Sequence, residues 1–214
     1  PVTITYGTGL SEMGANRDYR DVEHELWACG FNPDADADHT VTVMRATGDD
    51  GSTVLTAVGY AAHPTSLAWE NTLISPDYPG ALREVVEAAT GAPCAFMLFP
   101  CGDQGPRDNY VGGPETADAN GRQVGYAALA VLEGMAPVGT DRTYEGPVVS
   151  GATLGVWRNV THGASRVEAT RRFEGGTGTV AIPRKPVPTA DEWRAEVNRL
   201  EAAKVAADAR GDTI

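Results

Sequence analysis

Two short stretches of this sequence gather residue types that do chemistry. The first, Ala62-His63-Pro64-Thr65-Ser66, sets a histidine at the end of a run rich in Val and small residues. A neutral imidazole there suits a nitrogen donor to a metal or a base near neutral pH. Pro64 would hold that stretch of backbone rigidly. A loop histidine satisfied by backbone hydrogen bonds is the other reading of the same residue. The second stretch, Cys101-Gly102-Asp103-Gln104-Gly105-Pro106-Arg107, follows the apolar run Ala95-Phe96-Met97-Leu98-Phe99. Asp103 suits orienting a ligand, positioning a water or capping a turn. Asp77 stands where a helix N-cap is expected, before Tyr78-Pro79. Nothing local marks Arg17 or its neighbour Asn16.

These loops need elements to position them. Thr40–Arg45 and Thr53–Ala62 read as strands joined by Asp49-Asp50-Gly51-Ser52, a hairpin turn in which Asp and Gly tolerate positive φ. Leu82, Val85, Val86 and Ala89 repeat at helical spacing over 78–90, and Gly91 ends that helix. The run 95–99 between Pro93 and Pro100 reads as a fully buried parallel strand. Strand, helix and strand make a βαβ unit over about 54–99, whose strands run parallel with a right-handed crossover. Both loops then leave the same sheet edge, where open α/β sheets place their sites. A strand at about 2–6 and a glycine-rich turn precede this unit. After it come a helix at about 116–135 and strand-like segments at about 147–157, 165–173 and 178–183. A rigid Pro183–Pro188 connector leads to a last helix, which opens on the capping box Thr189-x-x-Glu192 and runs to about Arg210. The fold class is therefore α/β, a layered, mixed or mostly parallel sheet flanked by helices, in one domain over 1–214.

Composition removes several function classes. With 17 Lys and Arg against 29 Asp and Glu, the net charge of −12 repels a polyanion, so nucleic acid is not expected as a partner. No apolar stretch approaches the roughly 18 residues of a membrane span, and none reads as a signal peptide. Three cysteines without a CxxC pair make no disulfide scaffold, and Cys94 and Cys101 read as buried free thiols. Asp34, Asp36 and Asp38 mimic the start of a calcium loop, but His39 replaces its glycine and Arg45 its bidentate glutamate. Gly7-Thr8-Gly9 lacks the third glycine of a dinucleotide fingerprint, and no Gly-x-Ser-x-Gly elbow occurs. His24, His39 and His162 lack metal-ligand spacing, and Asn159-Val160-Thr161 is a glycosylation sequon of a kind common by chance.

Several motifs occur together in one order: Gly14-Ala15-Asn16-Arg17, Ala62-His63-Pro64-Thr65-Ser66-Leu67, Asn71-Thr72-Leu73-Ile74-Ser75-Pro76-Asp77-Tyr78-Pro79-Gly80, Gly102 to Arg107, and Gly155-Val156-Trp157-Arg158-Asn159-Val160-Thr161-His162. Over about residues 1–180 this resembles the neutral/alkaline non-lysosomal ceramidase family, zinc amidases of α/β architecture. The resemblance implies a zinc ion held by two histidines, a glutamate and a tyrosine, with His63 as the second histidine. The other ligands are expected before Pro1 and after Ile214, so this chain reads as a segment of a larger catalytic domain, inactive alone. Arg17 falls on the arginine that reaches the substrate amide. Asp103 would shape the site, with Asn16, Asp77 and Arg107 at its edge. Gly105 stands where lipid-hydrolysing members carry a serine proposed as nucleophile, so attack by zinc-activated water is expected. The implied substrate is a small-molecule or lipid N-acyl amide. The implied location is secreted or periplasmic, or cytoplasmic for bacterial homologues. A non-catalytic lipid- or glycan-binding module, or a metallohydrolase for a different amide or ester, are the alternatives.

Overall fold

The computed structural model describes residues 2–111, 113–172, 174–184 and 186–211. In chain order the elements are β1 (Val2–Leu10), β2 (Gly14–Asn16), β3 (Asp18–Asp21), β4 (Leu26–Cys29), β5 (Thr40–Gly48), β6 (Thr53–Tyr60), α1 (Tyr78–Thr90), β7 (Cys94–Leu98), β8 (Gln104–Pro106), α2 (Pro114–Gly134), β9 (Thr140–Ser150), β10 (Ala152–Thr161), α3 (Ala164–Thr170) and α4 (Ala190–Arg210). The chain divides into two compact units, 1–170 and 171–214.

The first unit is α/β. Its main sheet has the order β1-β5-β6-β7, with β5 antiparallel to both β1 and β6, and β7 parallel to β6. The hairpin and the βαβ unit expected from the sequence are both present. Val41 and Val43 of β5 and Val58 and Tyr60 of β6 alternate toward one core. They meet Leu82 and Val86 of α1 and Val124, Ala128 and Leu132 of α2, so the strand and helix periodicities serve one cluster. Two glycines one helical turn apart let the helices touch. A Cβ at Gly121 would lie 2.3 Å from the Tyr78 carbonyl oxygen, and one at Gly125 would lie 2.9 Å from Val85 Cβ.

Four local expectations are corrected. Gly7 and Gly9 form no turn but continue β1, because a Cβ at Gly9 would lie 2.6 Å from Val131 of α2 and the strand needs that closeness to pack. β7 is not fully buried: it is an edge strand of the sheet, and Met97 and Leu98 are 44% and 48% exposed. The segment at 147–157 spans the turn between β9 and β10, paired antiparallel around Gly151 at φ 73°. The segments at 165–173 and 178–183 find no partner strand. Ala164–Thr170, rich in Ala, Arg and Glu, coils into α3 instead, and 178–183 carries no regular element. Phe173, at the end of the first of these, and Lys185, within the Pro183–Pro188 connector, lie outside the described residues.

In the second unit α4 starts as its capping box requires. Thr189 Oγ1 accepts from the Glu192 N–H at 3.3 Å, and Glu192 Oε2 accepts from the Thr189 N–H at 2.6 Å. Trp193, Val197, Leu200 and Val205, its apolar positions, are exposed. Among the described residues no helix is long and apolar enough to cross a membrane.

Candidate functional site

Because β6 and β7 are parallel, the loops after them leave the same edge of the sheet. They are tied directly: the His63 N–H donates to the Gln104 carbonyl at 3.1 Å. Gln104 opens β8, which pairs antiparallel with β2, so Asn16 stands opposite Gln104 and Ala15 opposite Gly105. Arg17 follows immediately. Its N–H donates to the Asp103 carbonyl at 2.9 Å, and its guanidinium donates to the Gly102 carbonyl through Nε at 3.2 Å and Nη2 at 2.8 Å. At the other end of β8 the Arg107 N–H donates to the Met13 carbonyl at 2.8 Å. The fold thus gathers Asn16, Arg17, His63 and Asp103 around the start of β8. Arg107 lies at its far end, with its side chain exposed.

The half-buried His63 ring makes no hydrogen bond to a described residue, so its nitrogens are available to a ligand. The Asp103 side chain is exposed. Asp77 plays a different part. At φ 56°, a conformation uncommon for a residue with a Cβ, it buries its carboxylate under the His63 loop. Oδ1 accepts from the N–H groups of Tyr78 at 2.7 Å and Ser66 at 3.2 Å, and Oδ2 from that of Leu67 at 3.0 Å. The expected N-cap of α1 therefore also pins the loop that carries His63.

Other anchors were not singled out in the sequence. Asn120, buried on α2, donates through Nδ2 to Ser66 Oγ at 3.0 Å and to the Asp108 carbonyl at 2.9 Å. Its signal was a polar residue one turn before Val124 and Ala128 on the apolar stripe. Buried Gln104 accepts from the Asp38 N–H through Oε1, which binds the loop before β5 to the site. Tyr110, at φ 54°, donates its backbone N–H to the Thr65 carbonyl at 3.2 Å, and its hydroxyl lies 3.1 Å from Cys29 Sγ. Asn109 donates to the Gly30 carbonyl at 3.1 Å, which stitches the β3–β4 hairpin to the same loop. No spacing rule points to partners such as Tyr110 with Cys29 and Asn109 with Gly30, which lie 81 and 79 residues apart.

This backbone is similar to that of two solved structures. One is a ceramidase complexed with C2, at 21% identity and TM-score 0.49, covering 62% of this chain and 22% of that one. The other is neutral ceramidase from Pseudomonas aeruginosa, at 22% identity and TM-score 0.48, covering 62% of this chain and 23% of that one. The chain spans less than a quarter of the length of either. No family model and no curated protein matches it.

Burial pushes the Cys101 thiol up, with Arg17 pulling it partly back. The Tyr110 phenol is held up chiefly by its contact with Cys29, while Arg17 favours its ionised form. Both groups are therefore neutral at pH 7, so the charges acting at this corner of the site are the Arg17 guanidinium and the exposed Asp103 carboxylate. A zinc ion fits poorly with this chain alone. Among the described residues no group of three or more His, Cys, Asp or Glu is placed to hold a metal, whereas catalytic zinc takes three protein ligands.

Proposed function

We propose that this chain carries the substrate-binding part of a hydrolase site that cleaves an N-acyl amide, of a lipid or of a smaller molecule. The observation that carries the reading is the joining of the two loops through His63 N–H and the Gln104 carbonyl, with the Arg17 guanidinium fixed on Gly102 beside them. A guanidinium held by a carbonyl costs little reorganisation when charge develops on the amide oxygen, and this is the stabilisation that amide hydrolysis needs. Arg17 is assigned that role. Asp103, whose carbonyl takes the Arg17 N–H, shapes the turn that positions it.

Neither of the two loop positions nearest a serine nucleophile offers one. Gly105 has none, and Ser66 is buried with its Oγ taken by Asn120. Water is therefore the attacking group in this reading. His63 is the donor this chain would contribute to a zinc ion, with the remaining ligands supplied from outside it. Because the residues of this chain do not complete such a site, no step is assigned to the metal. Gly105 also favours a second reading, a binding module on the same scaffold without turnover.

Turnover of N-acyl amides by the protein as its gene encodes it, with and without Arg17→Ala, separates the two. The enzyme reading expects kcat to fall by about 100-fold. A near-wild-type rate removes Arg17 from the mechanism, and no turnover with retained amide binding favours the module.

A further inference from the structure

α4 begins on a strong capping box, yet Trp193, Val197 and Leu200 along it are exposed. A helix in a protein gains most of its stability from packing one stripe against a neighbour. The stripe here follows a seven-residue repeat. With Ala190 at heptad position a, the a and d places fall in turn on Ala190, Trp193, Val197, Leu200, Lys204 and Ala207. Val205 lies off this stripe, and Asp191, Glu192, Asn198 and Arg199 share the outer face with it. A seam confined to a and d is the narrow stripe of a two-helix coiled coil.

Read in reverse, the seam complements itself. In an antiparallel pair an a residue of one helix meets a d residue of the other. Setting Val197 against Leu200 of a second copy puts Trp193 against its Lys204 and Ala190 against its Ala207, each contact made twice by symmetry. The lysine then lays its carbon stem along an indole and brings its ammonium to the ring. The charges beside the seam choose the same orientation. In that register Arg194 of each helix, at position e, meets Glu201 of the other, while Glu196 at g faces the small Ala203. A parallel pair would instead set Glu196 of each helix against Glu201 of the other, two like-charge contacts. Within one helix Arg194 and Glu201 stand seven residues apart, about 10.5 Å, too far to pair. Arg194 does reach Asp191 through Nη1 at 2.6 Å, and a guanidinium has further N–H groups to offer.

We infer that α4 is a dimerisation helix, pairing antiparallel with α4 of a second copy of this chain through Trp193, Val197, Leu200 and Lys204. Arg194 and Glu201 set the orientation. At 21 residues the helix is about 30 Å long, so the interface is small and the dimer forms in the micromolar range.

Sedimentation equilibrium of the protein as its gene encodes it tests this. A monomer–dimer equilibrium is expected at micromolar concentrations, and Leu200→Glu should abolish the dimer. Arg194→Glu and Glu201→Arg should each weaken it about tenfold, because two attractive contacts become repulsive, and the double variant should restore it. A misfolded chain would not be rescued in this way, so recovery in the double variant reports contact between copies. A protein that stays monomeric across that range overturns the inference. So does a dimer indifferent to Leu200→Glu, or a double variant no better than its singles.

Discussion

Asp77 holds two parts of the chain at once. One carboxylate accepts from the first N–H of α1 and from two N–H groups of the loop that presents His63. Asp77→Ala leaves buried donors unpaired and should destabilise the first unit by about 2–4 kcal/mol, with Asp77→Asn costing less because one acceptor survives. Denaturant midpoints of the two variants check the order, and faster amide exchange at Ser66 and Leu67 checks the cause. The cysteines test a second contact. Cys29 is exposed, whereas Cys94 and Cys101 are buried, with burial pushing both of their thiols up. A thiol reagent should therefore label one cysteine quickly and two only on unfolding. Mapping the label to Cys94 or Cys101 in the native chain would contradict the packing. At this scale the sequence made Asp77 legible as a cap, because capping is local. Its hold on Ser66 and Leu67, and the meeting of Tyr110 with Cys29, arise only once distant loops converge.

Among the elements, α1 and α2 pack closely through Gly121 and Gly125. Gly121→Ala would press a methyl against the Tyr78 carbonyl and Ala81, and the helices would have to separate. A loss of about 1–3 kcal/mol in urea unfolding is expected, against little change for Gly134→Ala, where a Cβ meets open space. The elements with strong local signals were legible: the hairpin of β5 and β6, α1 between Asp77 and Gly91, and α4 with its capping box. Those decided by neighbours were not. The glycines of β1 mimic a turn until Val131 is seen to need their space. The apolar run of β7 matches a buried strand, yet no further strand of the described chain covers its outer edge. The apolar residues after Thr161 have no sheet to join, so neither segment is a strand.

In the molecule as a whole, two phenols link the core to pH. Tyr60 donates to the Ser11 carbonyl at 2.7 Å and Tyr78 to the Ala62 carbonyl at 2.6 Å, both fully buried. Burial raises both above the ordinary value of 10.0, Tyr78 by far the more. Folded chains therefore keep protons that unfolded chains release. Their stabilising effect is whole below about pH 10 and is lost as pH rises above it, by up to about 1.4 kcal/mol per pH unit for Tyr78, with Tyr60 adding in the same direction. Urea unfolding from pH 8 to 11, with tyrosinate absorbance followed alongside, should show stability flat at first and then falling. The proposed site is also a property of the whole, since Arg17 follows β2 and His63 follows β6, and the two are joined through β8 and the turn before it. The most direct test of that claim is amide hydrolysis by the gene-encoded protein carrying Arg17→Ala, His63→Ala and both. One shared site requires each single change to lower kcat/KM by about 100-fold or more, and the pair to cost little beyond the worse single. Losses that multiply, or a wild-type rate in either single variant, would contradict it.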